Sequence, residues 1–150
     1  MKRWIWEKSW HAIPFRRLGT KLSLFKRPNA NFYRSFYDEF FEQYTSYDEL
    51  PTGWLEAKEN TEKELSKILQ YQSRVLSYGC GIGFIVTILA KKMPDTAFDL
   101  LDFSHNSFEF VDDHSNINCI LEIPNETRYD VIYCTQLLYA LNDSEVISLL

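Results

Sequence analysis

The spacing of the apolar residues predicts two helices in the first half of the chain. Aromatic residues recur in steps of four over residues 31–44, which predicts a helix with one buried face. That face either only packs against the rest of the protein or also contributes tyrosines that close over a ligand. Pro51 and Gly53 interrupt the pattern before a second helix. The repeating positions of this second helix are Trp54, Lys58, Thr61, Leu65, Ile68 and Leu69.

Beyond residue 72, short apolar runs alternate with a helical pattern. Strands that alternate with helices pair in parallel through right-handed crossovers, so this region is predicted to be an α/β domain with a mostly parallel sheet. The predicted strands cover residues 74–78, 97–101, 117–121 and 129–134, with a helix over 84–93 and a short helical or turn segment over 105–113.

A last helix is predicted to begin at Asn142, after an apolar turn over residues 137–141. Asn142 is a favourable cap, and Glu145 lies where its side chain can bond back to the cap. The chain ends about two turns into this helix, and only about four strands can be read before it. We therefore expect a truncated gene product with an incomplete sheet. Its fourth strand would expose an apolar edge, which we expect another chain or segment to cover.

Charge and composition divide the chain further. Residues 1–27 carry a net charge of +7, and the remainder therefore carries −12. We interpret residues 1–30 as a basic aromatic extension, residues 31–72 as a helical cover and residues 73–150 as the α/β domain. The extension packs its aromatic side chains on its own domain, or docks on a protein or an anionic membrane surface, or is a cleaved targeting segment. Nucleic acid is not expected as a partner, because the acidic body would repel phosphates.

The cysteines and histidines do not indicate a metal site. Cys80, Cys119 and Cys134 are far apart in the sequence and each lies in an apolar run, so we predict three reduced thiols in the core. The histidines supply no partner near any of them, and no metal is expected. The sequence contains no run of 18 apolar residues and no signal-peptide pattern. The expected location is the cytoplasm, with peripheral attachment to a membrane surface as an alternative.

Three of the five glycines lie at alternate positions where the first predicted strand runs into a helix. Gly79, Gly81 and Gly83 allow the backbone to turn tightly and to approach a ligand at the start of that helix. The dinucleotide fingerprint needs a glycine where this chain has Phe84, so a nicotinamide-dependent oxidoreductase is disfavoured, and no Gly-Lys-Ser/Thr of a phosphate-binding loop follows. Asp102 ends the next strand, where a carboxylate can accept both ribose hydroxyls. The pattern therefore indicates a nucleoside cofactor.

These motifs resemble those of the class I S-adenosylmethionine-dependent methyltransferases. The family's glycine motif typically reads V-L-D-x-G-C-G-T-G, and residues 75–83 read VLSYGCGIG. Residues 101–104, LDFS, are similar to the family's D-x-S after the second strand, and residues 129–134, YDVIYC, are similar to its fourth strand. The resemblance implies a Rossmann-like sheet with helices on both faces, preceded by N-terminal helices. It also implies S-adenosyl-L-methionine as the cofactor and a small molecule or glycan intermediate as the methyl acceptor.

The same resemblance implies which residues hold the cofactor, with Asp102 on the ribose and Phe103 beside the adenine. Three positions depart from the family pattern. Ser77 stands where the family has an acidic residue, Cys119 or a neighbour stands where many members have aspartate, and Ala140 replaces a histidine. No catalytic residue is therefore assigned, and the alternative is an inactive remnant that binds the cofactor or a partner. The implied cofactor-binding residues are Ser77, Tyr78, Gly79, Cys80, Gly81, Gly83, Asp102, Phe103, Cys119 and Cys134.

Overall fold

The computed structural model describes the central part of the chain and short pieces on either side of it. The described residues are 33–34, 37–38, 42, 44, 46–50, 52–69, 74–135, 137, 144 and 147. Helix α1 spans Thr52–Ile68 and helix α2 spans Phe84–Lys92, and short 3-10 helices cover Tyr47–Glu49 and His105–Phe110. The strands are β1 (Arg74–Tyr78), β2 (Ala97–Leu101), β3 (Ile117–Ile120) and β4 (Val131–Tyr133).

The four strands form one sheet in the order β3-β2-β1-β4, and every neighbouring pair is parallel. Val75 of β1 is aligned with Phe98 of β2 on one side and with Val131 of β4 on the other. The parallel α/β architecture predicted from the sequence is confirmed. The chain moves outward from β1 through β2 to β3 and then returns to the opposite side of β1. In open parallel sheets, ligands bind beyond the carboxyl ends of the strands at such a reversal.

The main hydrophobic core lies between the sheet and α2. Val75, Phe98 and Leu100 point from the sheet into this core and are at most 1% exposed. Helix α1 packs against α2. The partly buried Leu65 of α1 and the buried Leu69, which directly follows α1, pack on the same core. Both described helices therefore cover this face of the sheet. The residues that α2 contributes are Ile85, Val86, Leu89 and Ala90.

Helix α2 ends as its sequence predicts, with two lysines in the last turn. Positive side chains there oppose the partial negative charge of the helix end. Each lysine also reaches an acidic residue on another element. Lys91 lies 2.9 Å from Asp112, and Lys92 lies 3.1 Å from Glu62 of α1. Glu62 is only 3% exposed. The second ion pair therefore joins α1 to α2 at a position that is partly shielded from water.

Strand β4 is shorter than predicted, and polar contacts join the residues directly before it to the neighbouring strands. The Tyr129 hydroxyl donates to Oδ2 of Asp99 at 2.8 Å. The backbone N–H of Arg74 donates to Oδ2 of Asp130 at 2.7 Å. These two contacts attach the residues directly before β4 to Arg74 of β1 and Asp99 of β2.

The prediction for the cysteines is correct in part. All three thiols are free, but Cys119 and Cys134 are exposed rather than in the core. Cys119 lies in the outer strand β3 and Cys134 directly follows the outer strand β4, where fewer neighbours cover a side chain. Cys80 alone is partly buried and contacts the core.

Several sequence predictions fall on residues outside the described ranges. These include the basic extension over residues 1–30, Ala140, and most of the helices predicted over residues 31–44 and from Asn142. Within those two segments, Tyr33, Arg34, Tyr37, Asp38, Ser144 and Ile147 have helical backbone. Within the described ranges, no helix is both long enough and apolar enough to cross a membrane.

Candidate functional site

The loop between β1 and α2 has a backbone that requires glycine. Gly79, Gly81 and Gly83 have φ angles of 70°, 55° and 68°, a region that side-chain-bearing residues rarely adopt. The N–H groups of Gly79 and Cys80 both donate to the carbonyl of Leu101, at 2.8 and 3.2 Å. The loop is therefore fixed to the carboxyl end of β2. It turns directly into α2, whose N-cap residue Gly83 offers no side-chain cap.

Asp102 lies at the centre of the candidate site, where its side chain links the loop after β1 to the residues after β2. Its Oδ2 accepts the N–H of Gly81 at 2.7 Å, and its Oδ1 accepts the N–H of Ser104 at 2.9 Å. Burial raises the pKa of Asp102, the nearby charge of Asp38 adds to the rise, and the backbone N–H donors oppose it. A carboxylate has about four acceptor positions, so Asp102 can shape the loop and still accept hydrogen bonds from a ligand.

The structure places the predicted residues of β1 and the loop at different depths. Ser77 is 2% exposed and lies on the same face of β1 as Val75, which directs it toward the core rather than into the loop. Tyr78 ends the strand and is partly buried. The Cys80 thiol contacts the carbonyl of Gly81 at 3.3 Å, and burial raises its pKa.

The remaining predicted residues follow the neighbouring strands. Phe103 comes directly after Asp102 and is partly exposed. Cys119 lies in β3, opposite Leu100 of β2, and partial desolvation of this exposed residue raises the pKa of its thiol. Cys134 follows β4 and is exposed. The sheet thus brings the glycine loop, Asp102 and Phe103 together, whereas Cys119 and Cys134 lie on the outer strands.

Described residues of the segment interpreted as a cover, residues 31–72, contact this site. The Tyr37 ring meets the Phe103 ring edge-on, with 6.4 Å between their centroids. The Ser104 hydroxyl donates to Oδ1 of Asp38, which brings a second carboxylate close to Asp102. Because these contacts join residues 66 positions apart, the pattern of the sequence did not reveal them.

Tyr47 connects the cover to the glycine loop itself. Its hydroxyl donates to the carbonyl of Ile82 at 2.9 Å and lies 3.3 Å from the hydroxyl of Thr87 in α2. Burial raises the pKa of Tyr47 to about 12. Its ring packs edge-on against Phe84 at 5.1 Å. The phenylalanine that stands in place of the dinucleotide-type glycine is therefore a packing residue for the cover.

Leu137 forms a wall against the first glycine of the loop. A Cβ atom on Gly79 would lie 2.8 and 2.9 Å from the two methyl groups of Leu137, which is closer than side chains pack. Leu137 is 5% exposed and follows β4, on the other side of the strand-order reversal. Sequence reasoning missed its role, although its place just after the fourth strand is where a ligand-contacting residue is expected.

Together, the fold and the site define the class of protein. A parallel sheet with a glycine loop after its first strand and a carboxylate after its second is typical of domains that bind a nucleoside cofactor. The chain matches the model of a family described as a methyltransferase domain over residues 31–148. The chain therefore belongs to this family of class I methyltransferases, and the resemblance drawn from its motifs is confirmed. A search of curated proteins finds no match.

Proposed function

We propose that the chain binds S-adenosylmethionine at the glycine loop and is the cofactor-binding part of a methyltransferase for a small molecule or glycan intermediate. One observation carries the proposal. The three glycines with positive φ angles lie between β1 and α2, and the N–H of Gly81 is bonded to the carboxylate of Asp102 at 2.7 Å. This arrangement brings a bare backbone and a hydrogen-bond acceptor to one place, as a nucleoside requires.

The residues present fit the proposed cofactor. Asp102 retains acceptor positions for ribose hydroxyls, and Phe103 supplies an aromatic surface next to it for the adenine. Gly79 and Leu137 form an apolar wall at the reversal of strand order. When bound, S-adenosylmethionine supplies an electrophilic methyl group on a sulfonium centre. The work of the protein is then to exclude water and to hold an acceptor in line with that methyl group.

The aromatic cover supports a small acceptor rather than a large one. Leu50 and Ile82 are buried beneath a cluster of aromatic side chains, most of which belong to the cover. This aromatic cluster is attached to the loop through Tyr47. It favours a methyl acceptor that is small enough to be enclosed. The aromatic members of the cluster are Tyr33, Tyr37, Tyr44, Tyr47, Trp54, Phe84 and Phe110.

Calorimetric titration with S-adenosylhomocysteine, the product form of the cofactor, tests the proposed site. We expect the wild-type chain to bind it and not to bind NADH. Gly79→Ala is expected to weaken binding about 5- to 30-fold, because alanine disfavours the loop conformation that binds the ligand. Alanine at this φ angle costs roughly 1–2 kcal/mol, and its Cβ also meets Leu137. Gly53→Ala is the matched control, since a Cβ at Gly53 meets nothing within 4 Å. Absence of wild-type binding, or equal binding by Gly79→Ala, would contradict the proposal.

A transfer assay separates an enzyme from a module that only binds the cofactor. The purified chain is incubated with methyl-labelled S-adenosylmethionine and a cell extract that has been divided into small-molecule, glycan and protein fractions. Label is expected in the small-molecule or glycan fraction, and Gly79→Ala should abolish it. Label in the protein fraction alone would overturn the proposed acceptor class. Binding without any transfer would support the inactive remnant.

A further inference from the structure

Lys58 is a charged residue at a position of α1 where the sequence pattern has mostly apolar side chains. It is partly buried, and its ammonium group lies 5.1 Å from the centre of the Trp54 ring. Burial lowers the pKa of Lys58, while electrostatic interactions with Cys80 and Asp102 oppose that change. The Trp54 ring in turn packs edge-on against Phe84, which directly follows Gly83 of the glycine loop, with 6.1 Å between the ring centroids. The ammonium group therefore lies on the side of α1 that faces the start of α2 and the glycine loop.

Lys58 differs from other described lysines in its partners. Lys67, Lys91 and Lys92 each form an ion pair with a carboxylate, at 2.6, 2.9 and 3.1 Å. Within the described ranges, the Lys58 ammonium makes neither a hydrogen bond nor an ion pair, and its contact is the face of Trp54. A cation that is partly withdrawn from water without an acceptor is unfavourable. Such a group beside a ligand site indicates that the ligand supplies the acceptor.

Asp102 does not meet this need. It forms no ion pair with Lys58, and the acceptor positions that its bonds to Gly81 and Ser104 leave open are assigned to the ribose hydroxyls in the proposed function. Ser77, which replaces the acidic residue of the family motif, faces the core and brings no charge to the loop. Lys58 therefore places a positive charge on the side of α1 that faces the glycine loop. No described carboxylate forms an ion pair with it.

We propose that Lys58 binds the carboxylate at the amino-acid end of the bound cofactor, which rests on the proposed function. The ribose and the adenine are neutral, so this carboxylate is the anionic group that S-adenosylmethionine presents. The position of Lys58 on α1 also means that the cover holds the cofactor directly. Lys58 is thus a binding residue that lies outside the glycine motif.

Titration with three ligands tests the role of Lys58 in the full chain. S-adenosylhomocysteine carries the carboxylate, decarboxylated S-adenosylmethionine keeps the amino group but lacks the carboxylate, and 5′-methylthioadenosine lacks both. Lys58→Met is expected to weaken S-adenosylhomocysteine binding about 10- to 100-fold, as for a lost charged hydrogen bond. Affinity for the other two ligands should change less than about twofold, because neither carries the partner of Lys58.

Two control variants complete this test. Lys63→Met, an exposed lysine of the same helix, should bind all three ligands like the wild type. Lys58→Arg should retain most of the affinity for S-adenosylhomocysteine, because arginine can also pair with a carboxylate. Equal losses for all three ligands in Lys58→Met, or no loss for any of them, would overturn the assignment of Lys58. Failure of the wild-type chain to bind S-adenosylhomocysteine would instead overturn the proposed function.

Discussion

The inner and outer strands of the sheet differ sharply in burial. Leu76 of β1 and Phe98 of β2 are at most 1% exposed, whereas Ile132 of β4 is 58% exposed. The glycine loop leaves β1, and Asp102 directly follows β2, so both parts of the candidate site extend from the best-buried strands. The well-packed inner strands thus support the glycine loop. The segment that follows the outer strand β4 adds side chains such as Leu137 beside the loop.

The outer strand β4 exposes an apolar side chain, as expected from the sequence. In the part of the chain that the structure describes, no strand pairs with the side of β4 away from β1. Ile132 lies at the centre of β4, aligned with the fully buried Leu76. That another chain or segment covers this edge stays a prediction.

The largest effect is expected from a core substitution in an inner strand. Phe98→Ala should lower the free energy of unfolding by about 3–5 kcal/mol, because it removes a large side chain that is 1% exposed. Ile132→Ala in the outer strand should change it by about 0.5 kcal/mol or less. Urea denaturation measures both. If Phe98→Ala does not fold, Phe98→Leu should still cost more than Ile132→Ala, and similar costs for the two strands would contradict the comparison.

A smaller effect is expected at the buried carboxylate of β2. Asp99 is 3% exposed and accepts hydrogen bonds from Tyr129, Arg74 and Asn118. Burial alone would raise its pKa, but these donors outweigh burial and hold the pKa of Asp99 below its ordinary value. Asp99→Asn should therefore lose about 1–3 kcal/mol of stability at neutral pH.

The pH dependence of Asp99 follows from the direction of its pKa. A carboxylate with a lowered pKa stabilises the fold above its ordinary pKa of about 3.9, and this stabilisation is lost as the pH falls through the lowered value. The wild type and Asp99→Asn should thus become more alike in urea denaturation at pH 3 than at pH 7. Asp95→Asn, at an exposed position after α2, is the control. A constant difference between Asp99→Asn and the wild type across this range would refute the account of Asp99.

The smallest effect is expected where the cover meets the glycine loop and α2. Tyr47→Phe removes the hydroxyl that donates to Ile82 and should lower the free energy of unfolding by about 0.5–1.5 kcal/mol. Tyr47→Leu should cost more, because it also removes the ring that packs on Phe84 and Phe110. Thermal denaturation separates the two contributions. Equal melting temperatures for Tyr47→Phe and the wild type would mean that this hydrogen bond does not stabilise the cover.

The sequence predicted the features that depend on local backbone chemistry. Alternating glycines after an apolar strand are visible in the sequence because only glycine adopts those φ angles readily. Asp102 is visible because it directly follows the next strand. The parallel sheet follows from the alternation of strands and helices. The helix pattern also placed Lys58 among mostly apolar positions, but it carried no sign of what the lysine faces.

Contacts between distant parts of the chain could not be predicted. Asp38 reaches Ser104 across 66 positions, and Leu137 packs on Gly79 only because β4 lies beside β1. The exposure of Cys119 and Cys134 also depends on strand order, since the same apolar runs would be buried in central strands. Residue patterns give the direction in which a side chain points, whereas strand order decides what it meets.

The most direct test of the central claim is a crystal structure of the chain with S-adenosylhomocysteine bound. We expect the adenosine to lie beyond the carboxyl ends of β1 and β2, with a ribose hydroxyl within about 3.2 Å of Asp102. We also expect the backbone of Gly79 and Gly81 to contact the ligand. A ligand bound elsewhere, with Asp102 bonded only to Gly81 and Ser104, would contradict the claim that this loop is the cofactor site.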